Sequence, residues 1–185
     1  MSLTQIPYLS YCLSINKLII MNYRIRKWCK EDATELTKIM NDIHVWAKLS
    51  DHTPFPYTKE DANTYINESL NNDKVFGYAV ESEEKLVGAV KFKVLRSPYA
   101  TTAVLNFWIE NDKWEEGIMP EAVADLTRSI FFHQPVIKVM APVIGTDEVR
   151  TELLTSAGFV HEATLKKAIL KTGKVLDLHI YSITE

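Results

Sequence analysis

An α/β fold, built on one central mixed sheet with helices on both faces, is what this sequence predicts. Three observations carry that expectation. Apolar residues alternate with a period of two in several short stretches, which is the mark of strands. Four other stretches carry apolar residues at helical spacing. One strand–helix–strand unit, from Ala103 to Ile144, suits a right-handed parallel crossover, while the meander and hairpin around it are joined by short turns that suit antiparallel pairing. The predicted order is β-α-α-β-β-β-α-β-α-β-β.

Tyr23 to Arg26 reads as a short strand with alternating faces. Asp32 opens a helix in which Leu36, Ile39, Met40 and Ile43 share one face. Pro54 and Pro56 exclude regular helix in the loop that follows. Thr58 is a good N-cap, with Glu60 and Asp61 in the first turn where the dipole favours acids, and this helix runs to about Leu70. Val75 to Val80, Leu86 to Leu95 and Ala103 to Glu110 follow as three strands. In the second, Val90, Phe92 and Val94 face one side, with Lys91 and Lys93 on the other. In the third, Ala103, Leu105, Phe107 and Ile109 form an apolar face. A helix spans about Gly117 to His133. Val136 to Ile144 is nearly all apolar, which suits a strand buried on both faces. Asp147 to Ala157 is a helix closed by Gly158. Phe159 to Leu170 and Lys174 to Ile183 form a final hairpin turned at Thr172-Gly173.

The composition narrows the function classes. The chain has 185 residues, 46% hydrophobic and 24% charged, as expected for one globular domain with a sizeable core. A net charge of -3 gives no footprint for nucleic acid, which needs a basic face. Lys166, Lys167, Lys171 and Lys174 read as the solvated face of the last hairpin. Cys12 and Cys29 make neither a metal spacing nor a disulfide framework, so no metal is expected and a reducing, cytoplasmic setting is the simpler one. No apolar run is long enough to span a bilayer. Residues 1–20 form an N-terminal extension before a domain spanning 21–185. A docked segment, a disordered arm and a start codon placed upstream of Met21 are all open for it.

The strand–turn–helix around Gly117 is the first chemical signal. Free backbone N–H groups and the positive end of a helix dipole converge there, which suits an anion. The segment Phe107-Trp108-Ile109-Glu110-Asn111-Asp112-Lys113-Trp114-Glu115-Glu116-Gly117-Ile118-Met119-Pro120-Glu121-Ala122 extends that signal. Tyr23-Arg24-Ile25-Arg26-Lys27 with Glu31-Asp32-Ala33, then Pro56 to Ala62, then Ala157 to Ala163 with Gly173 to Asp177 add to it in consistent order. Together these segments resemble the GNAT N-acetyltransferases, most closely their RimJ/RimL branch.

That resemblance implies a GNAT-like fold and an acetyl-CoA-dependent N-acetyltransferase acting on a primary amine, as monomer or homodimer. The strands Ala103–Glu110 and Val136–Ile144 would splay apart. Pantetheine would pair with backbone near Phe107, Trp108 and Ile109. The pyrophosphate would sit on N–H groups between Glu115 and Glu121, a stretch that includes Glu116, Gly117, Ile118 and Met119. An amine would attack the thioester directly once neutral. A degenerate relative that binds an acyl-CoA-like ligand or a partner without catalysis is the alternative.

Several positions depart from the family pattern. Met119 stands where Gly or Ala is usual and would crowd the phosphate. Glu115 and Glu116 bring like charge to it. Pro120 suits a first helical turn but donates no N–H. Val104 stands where many relatives carry a glutamate. Asp147 and Arg150 occupy places at the start of the later helix, and Arg150 either reaches a CoA phosphate or is a solvated helix residue. The catalytic candidates are Glu110, at the strand end beside the expected thioester, and Thr155, where some relatives keep an acid. His179 with Asp177, His52 and His133 are weaker candidates, each with an ordinary structural explanation.

Overall fold

The computed structural model describes residues 23–49 and 53–185, the side chain of Glu115 excepted. The extension at 1–20 and the loop residue His52 lie outside them. Seven strands form one sheet: β1 (Tyr23–Lys27), β2 (Val75–Ser82), β3 (Lys85–Val94), β4 (Thr102–Ile109), β5 (Lys138–Ile144), β6 (Val160–Lys171) and β7 (Lys174–Thr184). Their order across the sheet is β1-β2-β3-β4-β5-β7-β6, antiparallel throughout except for the β4–β5 pair. The helices are α1 (Ala33–Met40), α2 (Ile43–Trp46), α3 (Lys59–Asn71), α4 (Ile118–His133) and α5 (Glu148–Ser156). The predicted order of elements is therefore present, with the short α2 added.

The expected single first helix is broken. Asn41 leaves the helix and ties it down: its amide donates to Thr37 O at 2.9 Å and Tyr57 O at 2.7 Å, and its Oδ1 accepts from Tyr57 N at 2.9 Å. Asp42 then caps a new turn by accepting from His44 N. Thr58 begins α3 in a capping box with Asp61. Each such cap satisfies N–H groups that a helix start leaves orphaned.

Two cores follow from the two faces of the sheet. One holds Val90, Phe92, Leu105, Phe107 and Val139 under α4 and α5. The other holds Ala89 and Trp108 under Leu36, Ile39 and Met40 of α1 and Ile66 of α3. A side chain of this size contributes roughly 1.5–3 kcal/mol when fully buried.

The expectation of a β5 buried on both faces fails. Val139, Ala141 and Val143 are buried, but Met140, Pro142 and Ile144 are only partly covered. Pro142 and Ile144 border a cleft, which leaves the second apolar face of β5 only partly covered there.

Candidate functional site

The strands β4 and β5 pair only at Thr102–Lys138, Ala103–Val139 and Val104–Met140, then part. A cleft of about 1300 Å³ lies where they separate, bordered by Phe107, Trp108, Pro142, Ile144 and Arg150.

The alternation of β4 decides which of its backbone groups face that gap. Glu110 N donates to Val87 O, and Leu95 N donates to Thr102 O. Even-numbered residues of β4 therefore bond to β3, and odd-numbered ones turn their N–H and C=O toward β5. Beyond the last β4–β5 pair, Phe107 and Ile109 present main-chain groups to the splay. Trp108 does not: its backbone belongs to the β3 ladder, opposite Ala89, and only its side chain borders the cleft. Of the three residues near which pantetheine is expected to pair, Phe107 and Ile109 are thus the ones with backbone toward the gap.

At the end of β4 the chain makes a 3-10 turn over Asn111–Glu116 and enters α4 through Gly117, whose φ of 71° is left-handed. That conformation costs an ordinary L-residue roughly 1–2 kcal/mol and costs glycine almost nothing. No side chain caps α4, so the N–H groups of Gly117, Ile118 and Met119 keep the orphaned donors of a helix start. Pro120 has none to offer. The Met119 side chain does not reach the turn. It is 1% exposed in the core, and its Cε lies 2.8 Å from where a Cβ on Gly88 would stand. Glu116 is also accounted for, because Lys113 Nζ donates to its Oε1 at 2.7 Å.

Arg150 is buried, not solvated. From the first turn of α5, its Nη2 donates to Phe107 O at 3.2 Å and its guanidinium stacks 4.5 Å from the Phe107 ring. Asp147 caps α5 by accepting from Arg150 N at 3.0 Å, and its Oδ2 lies 3.7 Å from Arg150 Nε, which has no hydrogen-bond partner. Burial lowers the Arg150 pKa, opposed by Asp147. A cation inside the splay, with donor capacity left over, fits a ligand that carries carbonyl or anionic groups.

The two catalytic candidates do not meet. Glu110 lines a separate cavity of about 440 Å³ with Lys38, Asn41, Asp42 and Asp112. Burial, then Asp112 and Glu35, hold its carboxyl above the ordinary glutamate value. Thr155 is exposed on α5 and donates to Thr151 O at 2.8 Å, the usual back-bond of a helical threonine. Leu176 and Leu178 face the cleft, which turns Asp177 and His179 away from it. Asp177 instead accepts from Lys166 Nζ and Lys167 N, and His179 Nδ1 lies 3.0 Å from Thr164 Oγ1. His133 Nδ1 sits 2.9 Å from Ser129 O on the exposed end of α4.

The far wall of the cleft was not foreseen. Glu68 and Tyr65 on α3 face Lys91 of β3, whose Nζ lies 3.3 Å from Glu68 Oε2 and 4.4 Å from the centre of the Tyr65 ring. Burial pushes the Tyr65 phenol up to about 12. A signal existed in the sequence: with helices on both sides of the sheet, Lys91 has no purely solvent face and must find a partner under a helix. Lys171 also departs from the solvated patch expected of it. Its Nζ donates to Ala47 O and Leu49 O, which fastens the β6–β7 hairpin to the segment after α2.

Residues 22–160 match the family model described as an acetyltransferase (GNAT) domain. No curated protein matches the chain. Among solved structures, the microcin C7 self-immunity acetyltransferase MccE in complex with acetyl-CoA and AMP is 19% identical, with a TM-score of 0.78 over 89% of this chain and 93% of that one. The ribosomal-protein-S5-alanine acetyltransferase from Vibrio fischeri is 22% identical, with a TM-score of 0.78 over 88% and 93%. RimL, the ribosomal L7/L12 α-N-protein acetyltransferase, in complex with coenzyme A, is 12% identical, with a TM-score of 0.79 over 88% and 94%.

Proposed function

The chain belongs to the GNAT acetyltransferase domain family, and from that membership we propose that it binds acetyl-CoA in the β4–β5 splay and transfers the acetyl group to a primary amine. The parting of β4 from β5 after Val104 and Met140, with a cleft opening at that point, is the observation that carries this reading.

The donor end is built from main chain. The uncapped start of α4, entered through left-handed Gly117, offers N–H groups to the diphosphate. Phe107 and Ile109 offer the edge of β4 to the pantetheine amides. The Phe107 N–H points into the splay and suits the oxyanion that forms when an amine attacks the thioester carbon. Of the residues in the cleft, Glu68 is the acid we assign to receiving the amine proton, through water; Glu110 lies outside the cleft and Thr155 on an exposed helix face. An α-amine, with a free pKa near 8, needs less help from such a base than a lysine near 10.4. The acceptor class we propose is therefore a peptide or protein N-terminus or a small amine. Neighbours of this fold include enzymes named for ribosomal-protein acetylation.

Thiol release from acetyl-CoA over a panel of amines tests the reading, and silence across the panel counts against it. A second reading, binding without catalysis, draws on Arg150, which already occupies the Phe107 carbonyl. Thermal unfolding separates the two: a shift with acetyl-CoA but no thiol release with any amine supports the second. At about 100 times the dissociation constant, ligand adds roughly 2.7 kcal/mol of stability.

A further inference from the structure

We propose that Lys91 is a self-acetylation site: the cleft's own lysine amine takes the acetyl group when no external acceptor is present. The proposal rests on the reading that acetyl-CoA occupies the splay.

Three observations carry it. Lys91 borders the same cleft as Phe107 and Trp108. It stands opposite Asn106 in the β3–β4 register, one residue from the Phe107 backbone that faces the splay. Its side chain is only 19% exposed, and its Nζ is held over the Tyr65 ring at 4.4 Å and against Glu68 at 3.3 Å. This is a primary amine fixed inside the chamber where amines are meant to react, with an acid beside it.

The other lysines of the cleft are placed less well. Lys93 stands opposite Val104, where β4 and β5 are still paired. Lys48 sits 4.3 Å over the Trp114 ring, and Lys171 is bound by the carbonyls of Ala47 and Leu49.

The step balances without any further reactant. Glu68 relays the proton from the Lys91 ammonium to water. The neutral Nζ attacks the thioester carbon, a nitrogen–carbon bond forms, and the carbon–sulfur bond breaks. The sulfur leaves as thiolate and takes up the second nitrogen proton. The sum is acetyl-lysine, coenzyme A and one released proton. Acetylation removes the cation, so the pairing with Glu68 and the contact with Tyr65 are lost together. The Glu68 carboxylate is then left without its partner at the cleft wall.

The full chain, incubated with acetyl-CoA and no amine, provides the test by intact-mass and peptide mass spectrometry. Lys91 is expected to gain a single acetyl group with a rate independent of protein concentration, and added coenzyme A is expected to suppress it. Lys38 and Lys166, with side chains 77% and 75% exposed, report the background reaction with solvent. Enclosure in the site should give Lys91 an advantage of about tenfold or more over them, since a positioned amine reacts at raised effective concentration. Lys91→Arg should abolish that increment and leave the background on Lys38 and Lys166. A thermal shift with acetyl-CoA but no preferential Lys91 acetylation overturns this proposal alone. No thermal shift at millimolar acetyl-CoA overturns the donor site itself, and this proposal with it.

Discussion

Arg150 donates from Nη2 to the carbonyl of Phe107 at 3.2 Å, so a helix side chain holds the edge of β4 where β5 has left it. The same guanidinium stacks on the Phe107 ring, and one residue thus engages both the backbone and the side chain of its partner.

Replacing that residue should be felt in both stability and binding. Hydrogen bonds to charged groups contribute roughly 1.5–3 kcal/mol, and Arg150→Ala is expected to lose an amount in that range by urea unfolding. Arg150→Met should lose less, because it keeps apolar packing against the Phe107 ring that alanine gives up. In the thiol-release assay, Arg150→Ala should change the KM for acetyl-CoA more than kcat.

Gly117→Ala addresses the turn. A methyl group at a φ of 71° should cost roughly 1–2 kcal/mol of stability. If the turn holds diphosphate, acetyl-CoA affinity should fall by about tenfold as well, the equivalent of roughly 1.4 kcal/mol. Isothermal titration of the folded variant checks this; unchanged affinity would remove the turn from the donor site.

Glu110→Gln separates structure from catalysis through pH. The folded-state pKa of Glu110 is raised above 4.5, so the folded protein holds this proton more tightly than the unfolded chain. Stability is then lost as pH rises through the window that begins at 4.5, and the amide escapes that loss. The variant should be more stable than the wild type at neutral pH, and the difference should shrink to a constant below pH 4.5. Thiol release should be nearly unchanged, because Glu110 opens on the smaller cavity; a large fall in kcat would restore it as the base.

Glu68→Gln should behave in the opposite way. General-base effects are typically about 10²–10⁴-fold, and the low end is expected here because water carries the proton. The measurement is kcat with a saturating α-amine, with the acetyl-CoA thermal shift retained as evidence that the donor end is intact.

The comparison with the bare sequence has a physical pattern. Whatever depended on local chemistry was legible: the Thr58 cap, the turn into a helix at Gly117, the Thr172-Gly173 turn and the alternation of β4. The break at Asn41 was not, because it depends on Tyr57, a partner 16 residues away. The cleft residues divide in the same manner. Phe107 and Ile109 follow from strand parity once one β3–β4 bond is known. The burial of Arg150 on Phe107 and the meeting of Glu68 with Lys91 required the packing of helices over strands, which no single segment encodes. Met119 shows the converse: a residue expected to block the turn is drawn into the core, where its apolar side chain is more stable.

The Lys171 clasp divides responsibility for the chamber between distant parts of the chain. Gly117 and the β4 edge belong to the β4–α4 stretch, whereas the opposite rim is formed by the α2 segment and the terminal hairpin, which the Lys171 ammonium fastens together. On the proposed function, an exchange of this rim with that of a relative therefore has to carry both segments together. Exchanging the hairpin alone would leave that rim unfastened.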